Sequence, residues 1–370
     1  MMHKSLSRQI FLASLITTCT LPVYAKGTGY LFISSEKDNN ITVLDGKTYE
    51  VIKRIGTEAR PRHLQFNADK TQIYAAAGDG NAIDVIDVAK LELVDRIGEI
   101  DDPELFDLSA DGKIMYISLE DDGALGILNL DEYFAKREGK PDLKVAEAAP
   151  EGASSEAEDD AADDEAGGEE EGEKLPGMTT VEVGEEPEGI LVSPDGKTAY
   201  VTSEVANTVH VVDTASKEIK ANIVVGNRPR RFALTPDQKE LWVSNELSSS
   251  VSIIDLATNK LTETINFLPP KFRTEDVTPV GITLNKDGKT AVVALGRANH
   301  VAFVDVASRK VTDYVLVGKR AWNTTLNKDD SLLFVINGLS DDMSVIDVPS
   351  RKVLKSVPIA RVPHTVLVDD

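Results

Sequence analysis

One position of a repeated unit holds the residues that are best suited to chemistry. This position directly follows the residue, usually a proline, that opens an apolar run. Guanidinium groups offer paired donors to carboxylates or phosphates, and an indole offers a flat apolar face. Such a set suits a planar, anionic small molecule, and a quinone cofactor or a tetrapyrrole would qualify. In repeat order, this position holds His364, Arg62, Glu104, Glu188, Arg230, Val280 and Trp322, and the next one holds Thr365, His63, Leu105, Gly189, Arg231, Gly281 and Asn323.

Two alternative roles for these residues stay open. Arg62 and Arg230 could instead pair with Glu104 and Glu188 as structural ion pairs. A pair of histidines with a neighbouring glutamate could also hold Zn²⁺ or Cu²⁺, which makes His63 and His364 weak candidates for metal ligands. No HExxH, GxSxG or P-loop motif is present, so the sequence assigns no catalytic residue.

A second column of residues follows the second apolar run of each repeat. Its expected role is hairpin geometry or surface charge. Its members are Glu36, Gly78, Glu120, Glu204, Glu246, Gly296 and Gly338.

The elements that must position both columns come from the repeat itself, whose clearest copy is SPDGKTAYVTSEVANTVHVVD. Seven copies recur with a basic period of 42 residues. Each copy shows short runs of alternating β-branched residues between Gly, Asn, Asp and Pro, which predicts four antiparallel strands.

A unit of this length and content is typical of one blade of a β-propeller, because a lone four-stranded sheet must cover its faces with neighbours. The chain begins on a second-strand motif and ends on an isolated first-strand motif, Pro363 to Val368. We therefore expect an all-β, seven-bladed propeller in which N- and C-terminal strands pair in blade 1. First strands line the axis of a propeller, so the first column would meet at one mouth of the central channel.

The N-terminal residues predict export. Residues 1–25 combine Lys4 and Arg8 with an apolar stretch and a small-residue cleavage site, which indicates a signal peptide and a periplasmic protein. Residues 26–370 would form the single propeller. The only cysteine, Cys19, lies in the signal, so disulfides and thiolate chemistry are excluded. The net charge of −22 argues against nucleic acid as a partner, and nothing after the signal is apolar enough to span a membrane.

One segment breaks the repeat. Residues 151–173 contain 12 acidic residues and no basic one. Because such a stretch cannot bury apolar surface, residues 131–178 are expected to form a disordered acidic insertion in blade 3. It could be a solvated loop, a docking arm for a basic protein such as a cytochrome c, or a weak collector of cations.

The repeats SPDGKTAYVTSE and VSIIDLATNKL resemble the YVTN family of β-propeller repeats. Blade by blade, motifs such as EPEGILVSPDGK and RPRRFALTPDQKELWVSNE resemble the propeller proteins associated with PQQ-dependent catabolism. The resemblance implies a periplasmic protein that accompanies quinoprotein alcohol oxidation, with PQQ as a possible cofactor and a quinoprotein dehydrogenase as a possible partner.

Three function classes follow. The leading interpretation is a monomeric, non-enzymatic binding or accessory protein of PQQ-dependent alcohol oxidation, which takes a small anionic ligand or a protein partner at the mouth. The second is a propeller enzyme, either lactonase-like or haem d1-related, in which carboxylates of the column act as acid and base. The third is a periplasmic metal-binding chaperone.

Overall fold

A computed structural model describes residues 27–137, 139, 143 and 175–370. In these residues the chain forms seven four-stranded antiparallel sheets. In each blade the strands are given from the axis outward. Blade 1 contains β28 (Pro363–Asp369), β1 (Tyr30–Ser35), β2 (Asn40–Asp45) and β3 (Val51–Gly56), and blade 2 contains β4 (Pro61–Phe66), β5 (Gln72–Ala77), β6 (Ala82–Asp87) and β7 (Glu92–Gly98). Blade 3 contains β8 (Pro103–Leu108), β9 (Ile114–Leu119), β10 (Ala124–Asn129) and β11 (Met178–Glu182). Blades 4 and 5 contain β12 (Pro187–Val192), β13 (Thr198–Ser203), β14 (Thr208–Asp213), β15 (Ile219–Val224); and β16 (Pro229–Leu234), β17 (Glu240–Asn245), β18 (Ser250–Asp255), β19 (Lys260–Asn266). Blades 6 and 7 contain β20 (Ile282–Leu284), β21 (Thr290–Ala294), β22 (His300–Asp305), β23 (Lys310–Leu316); and β24 (Ala321–Leu326), β25 (Leu332–Asn337), β26 (Asp342–Asp347), β27 (Lys352–Pro358).

The sheets close into a ring. Each first strand contacts the first strands of both neighbouring blades, in the cycle β28, β4, β8, β12, β16, β20, β24 and back to β28. The expected seven-bladed propeller is confirmed. Closure also follows the sequence pattern, because β28 pairs antiparallel with β1 in blade 1.

Two side chains reinforce this closure. The backbone N–H and the hydroxyl of Thr28 donate to Oδ2 of Asp369 at 2.7 and 2.6 Å. The N–H of Gly29 donates to the Asp369 carbonyl at 2.7 Å. The two ends of the described chain are therefore joined by bonds to a buried carboxylate as well as by the strand ladder.

The core lies between the blades. Among the described residues there are seven apolar clusters, and each fills one interface between adjacent sheets. Between blades 4 and 5, for example, Tyr200 and Val211 pack with Leu241 and Val243. The second and third strands of each blade are buried on both faces, which explains their mainly apolar sequences, whereas most residues of the fourth strands are exposed.

One element was not expected. Helix α1 (Leu130–Lys136) follows β10, so the prediction of disorder from residue 131 onward was wrong at this end. Asn129 caps the helix by accepting from the N–H of Glu132, and Tyr133 is buried against the core. Strand β11 corrects the other boundary, since Met178 already belongs to the sheet. The rest of the predicted insertion and the predicted signal peptide lie outside the described residues, apart from residues 137, 139, 143 and 175–177.

Two short 3₁₀ helices complete the structure, at Glu246–Ser248 and Thr274–Asp276. In the part of the chain that is described, no helix has the length and apolar character needed to cross a bilayer.

A recurring backbone conformation and hydrogen bond fix the residue that precedes most of the first strands. This residue has a positive φ in blades 1, 2, 3, 4, 5 and 7, a conformation that costs a non-glycine residue about 1 kcal/mol. In four of these blades its N–H donates to an Asn side chain 21 residues earlier, as from Arg228 to Asn207 and from Arg320 to Asn299, both at 2.9 Å. Because the backbone is held in this way, the side chain of the residue is aimed at the same end of the ring.

Candidate functional site

The site is the axial mouth, the end of the ring at which the first strands begin. First strands run from this end, and second strands finish at it, so both sequence columns meet there. The structure brings Arg62, Glu104, Glu188, Arg230, Arg231, His63, His364 and Trp322 to this end of the axis, and it adds residues that the sequence pattern had placed elsewhere.

Blades 1 to 3 contribute one half of the mouth. Glu104 is fully buried and accepts from both Arg60 and Arg62. Arg60 also contacts Asp102 at 3.2 Å, and Nε of Arg62 lies 3.6 Å from Glu36. Of these carboxylates, Glu36 has the longest ion pair; its side chain and that of Asp102 are partly exposed, whereas that of Glu104 is buried.

Blades 4 and 5 contribute the other half, centred on buried Arg230. Its Nη1 lies 3.1 Å from Glu188 and 2.7 Å from Glu204, and its Nε donates to Glu246 at 2.8 Å. Arg228 shares two of these partners, with Nε 2.6 Å from Glu204 and 3.5 Å from Glu246. The structural ion pairs Arg62–Glu104 and Arg230–Glu188 are therefore present. They account for only part of the charge at the mouth.

Glu188 and Arg231 form the bridge between the two halves. Arg231 bonds to Glu188, and its Nη2 lies 3.5 Å from Nε2 of His364. Burial opposes ionisation of Glu188, but Arg231, Arg230 and Arg62 together lower its pKa well below the ordinary value. Glu188 is thus a permanent anion that holds the surrounding cations in place.

Two other carboxyl groups behave in the opposite way. Burial, together with the charges of Glu188 and Glu246, raises the pKa of Glu204 to about 8, despite the opposing effect of Arg230 and Arg228. Burial and the charges of Glu104 and Glu188 raise the pKa of Glu120 to about 9. At neutral pH both groups are protonated, so each is a proton donor in a site that also contains ionised carboxylates.

The two histidines of the mouth, His63 and His364, are neutral. Burial and the nearby Arg231 lower the pKa of His63 to about 3, and burial with Arg62 and Arg231 lowers that of His364 well below its usual value. The His63 ring packs edge-on against Phe106, with centroids 4.8 Å apart, and Nδ1 of His364 lies 2.9 Å from the Thr365 hydroxyl. Neither belongs to the one group with metal-ligand spacing found in the described residues, which is Asp102, Glu104 and Glu120.

Trp322 forms an apolar wall of the mouth. It is 5 % exposed, and its indole N–H has no hydrogen-bond acceptor among the described residues. The guanidinium carbons of Arg320 and Arg230 lie 4.2 and 5.3 Å from its ring centroid, and the His364 ring lies 6.1 Å away. Both guanidinium groups therefore lie within cation–π distance of the indole, which holds two positive charges beside the mouth.

Two groups of mouth residues were missed or misassigned from sequence. The residues before the first strands, Arg60, Asp102, Arg228 and Arg320, were not predicted. The glutamates that follow the second strands were assigned to hairpins or surface charge, yet Glu204 and Glu246 are 4 % and 8 % exposed and pair with Arg228 and Arg230. The asparagine 21 residues before Arg60, Asp102, Arg228 and Arg320 was the signal that could have identified the first group.

These residues form a single charged cluster, which we call the axial network. Six guanidinium groups face seven carboxyl groups, and two of the seven, Glu120 and Glu204, are held neutral at pH 7. Because exposed Asp79 also pairs with Arg60, the network is close to balanced in charge. Its members are Arg60, Arg62, Arg228, Arg230, Arg231, Arg320, Glu36, Asp102, Glu104, Glu120, Glu188, Glu204 and Glu246.

The sequence is similar to a family of enzymes in its C-terminal part. Residues 216–369 match the family model described as "Lactonase, 7-bladed beta-propeller". The match covers blades 5 to 7, which supply four of the six arginines of the axial network, and the closing strand β28. No curated protein sequence matches the chain.

Solved structures with low sequence identity share the fold. Hydrazine synthase from Kuenenia stuttgartiensis has a TM-score of 0.69 at 16 % identity, over 90 % of this chain and 99 % of that one. The Pseudomonas aeruginosa periplasmic gluconolactonase PpgL has a TM-score of 0.67 at 18 % identity, over 92 % and 99 %. The dihydro-heme d1 dehydrogenase NirN in complex with DHE has a TM-score of 0.63 at 17 % identity, over 92 % and 75 %.

Proposed function

We propose that this protein is a lactonase-like hydrolase that opens an anionic lactone at the axial mouth. The observation that carries the proposal is the presence, in one buried network, of a neutral carboxylic acid, Glu204, beside guanidinium groups and ionised carboxylates. The match of residues 216–369 to the lactonase family model supports it. The non-enzymatic role in PQQ-dependent oxidation, which was the leading interpretation of the sequence, has less support than the enzyme.

The residues provide the groups that ester hydrolysis requires. Water adds to the lactone carbonyl carbon, and the resulting oxyanion is stabilised by the guanidinium groups around the mouth. Glu36, the carboxylate with the longest ion pair, accepts the proton of the attacking water. The ring C–O bond then breaks, and Glu204 donates its proton to the leaving oxygen. The proton on Glu36 exchanges with solvent and Glu204 is reprotonated, so the net reaction is lactone plus water to a hydroxy acid.

The proposal is tested by proton release from a panel of sugar lactones, with wild-type protein and Glu204→Gln. Glutamine keeps the shape and neutrality of Glu204 but cannot donate a proton to the leaving oxygen. We expect turnover by the wild type and a decrease in kcat of roughly 10²-fold in the variant, the lower bound for loss of a general acid. Turnover that is unchanged in Glu204→Gln would remove Glu204 from the mechanism, and an inactive wild type would refute the hydrolase.

The remaining function classes are separated by binding and composition. A haem d1-related enzyme would show a visible absorbance band in the native protein, and a PQQ accessory protein would bind PQQ in calorimetry. A metal chaperone would contain about one metal per chain by elemental analysis. Export to the periplasm and a monomeric state remain proposals, to be tested by cell fractionation and by light scattering.

A further inference from the structure

Arg320 differs from the other arginines of the axial network because its charge has no partner. Arg60, Arg62, Arg228, Arg230 and Arg231 each lie within 4 Å of a carboxylate oxygen. Among the described residues, Arg320 has no ion pair, and its guanidinium group stacks on the Trp322 ring, 4.2 Å away.

The propeller repeat explains why this cation is unpaired. Arg228 and Arg320 occupy the same position, before the first strand, in blades 5 and 7. Arg228 lies between two glutamates that follow second strands, Glu204 of the preceding blade and Glu246 of its own. At the two positions that correspond to these for Arg320, the chain has Gly296 and Gly338. The fold therefore keeps the cation and omits both of the carboxyl groups that contact its counterpart Arg228.

The surroundings of Arg320 limit the kind of external anion that can pair with it. Arg320 is half-buried, and the charges of Glu36, Glu246, Arg230 and Arg62 act on its pKa, although none of these residues forms an ion pair with it or bonds to it among the described contacts. Beneath it, the buried indole N–H of Trp322 has no acceptor in the described part of the chain. One uncompensated positive charge matches a single negative charge. A dianionic phosphate would leave excess negative charge beside Glu36 and Glu246.

We propose that Arg320 and Trp322 form a binding site for a carboxylate that the substrate has in addition to its lactone. This inference rests on the proposed function and defines its substrate class, the lactones of dicarboxylic sugar acids. The planar guanidinium group binds a carboxylate through two parallel hydrogen bonds, and the indole supports the apolar face of the guanidinium group.

Binding of open-chain sugar acids tests the site without requiring turnover. Calorimetry compares tartrate and glucarate, which have two carboxylates, with gluconate, which has one, and with inorganic phosphate. We expect at least one dicarboxylate to bind the wild type about tenfold more tightly than gluconate and phosphate. In Arg320→Gln the affinity for that dicarboxylate should fall to the level of gluconate.

Two further variants make the result specific. Gly338→Glu supplies the missing internal anion. The side chain should fit, because a Cβ at this position would lie 3.7 Å from the carbonyl oxygen of Pro363 and 3.9 Å from Cδ of Arg320. This variant should lose the dicarboxylate preference while keeping Arg320. Arg297→Gln makes the same charge change at an exposed arginine of blade 6 and should leave the preference within twofold of wild type.

The outcomes distinguish this site from the hydrolase. A preference for dicarboxylates that depends on Arg320 supports the site even if no lactone is hydrolysed. Three results would each overturn the site. The first is equal binding of mono- and dicarboxylates by the wild type, and the second is a preference that survives in both Arg320→Gln and Gly338→Glu. The third is tighter binding of phosphate than of the dicarboxylates.

Discussion

The charged residues of the axial network differ in protonation, and this difference is the main chemical property of the site. Glu188 is held ionised by three arginines, whereas Glu204, which shares Arg230 with it, is held neutral. Two carboxyl groups with opposite pKa shifts in one network are a frequent property of acid–base sites, although structural networks also produce them.

Because Glu120 and Glu204 are protonated in the folded protein, stability should fall as the pH rises from 7 to 9. In the unfolded chain both groups have ordinary pKa values and are already ionised at pH 7. The folded chain alone loses protons in this range, so raising the pH favours unfolding. His63 and His364 do not contribute, because above pH 7 they are neutral in both states.

Thermal unfolding at pH 7 and pH 9 measures this effect. We expect the wild-type Tm to decrease by at least roughly 1–2 °C, because about 1 kcal/mol corresponds to roughly 2–4 °C in a domain of 150–250 residues and to less in a longer one. The double variant Glu120→Gln, Glu204→Gln should show a clearly smaller decrease, and the exposed Glu99→Gln should behave as wild type. An identical pH dependence in the double variant and the wild type would show that these groups ionise normally.

At the scale of elements, the positions of the mouth side chains depend on the turn between the second and third strands. Asn207 and Asn299 each accept a hydrogen bond from the N–H of an arginine one blade further on, Arg228 and Arg320. Each arginine has a positive φ, so the asparagine offsets part of the cost of that conformation.

Asn299→Ala should therefore loosen Arg320 without removing it. Loss of this hydrogen bond, together with alanine at the positive φ of residue 299, should decrease the free energy of unfolding by about 2 kcal/mol in urea titrations. It should also weaken dicarboxylate binding severalfold in calorimetry, because Arg320 would no longer be held in place. Asn207→Ala is the matched control: it removes the same bond from Arg228, so it should cost similar stability and leave the preference for dicarboxylates. Equal effects of the two variants on that preference would contradict a positioning role for Asn299.

The elements also show what sequence can and cannot predict. The repeat predicts the strands and their order because each blade repeats one pattern of burial and turns. It does not predict α1, because a helix of two turns depends on local details, the Asn129 cap and the burial of Tyr133. The roles of Glu204 and Glu246 were misjudged for a related reason: a residue that follows a strand can face solvent or the axis, and only the curvature of the closed ring decides which.

For the whole molecule, ring closure is the condition for everything at the mouth. Two glycines of the first-strand segments show how closely the first strands of adjacent blades approach each other. A Cβ atom at Gly189 would lie 2.2 Å from the carbonyl oxygen of Arg230, and a Cβ atom at Gly281 would lie 2.7 Å from the carbonyl oxygen of Trp322. The sequence predicts the ring and the face, but the pairing of individual charges requires the structure. Arg320 and Arg228 are equivalent in sequence position but differ in the residues that follow the second strands of the preceding blade and of their own blade.

Thr28→Ala tests the closure. The substitution removes the hydroxyl bond to Asp369, a carboxylate that is 3 % exposed, so the free energy of unfolding should decrease by about 1.5–3 kcal/mol in urea titrations. Thr48→Ala, at an exposed turn of the same blade, should have a much smaller effect. A similar loss in both variants would mean that the bond to Asp369 contributes nothing specific to closure.

The central claim is that a closed ring of charged first strands handles an anionic lactone. The most direct measurement compares kcat/KM for two lactones, each corrected for spontaneous hydrolysis. Glucaro-1,4-lactone has a free carboxylate and glucono-1,5-lactone is uncharged, and the quantity of interest is the ratio of the first value to the second. We predict a ratio above about 10 in the wild type and near 1 in Arg320→Gln. A wild-type ratio at or below 1, or no hydrolysis of either lactone, would contradict the account.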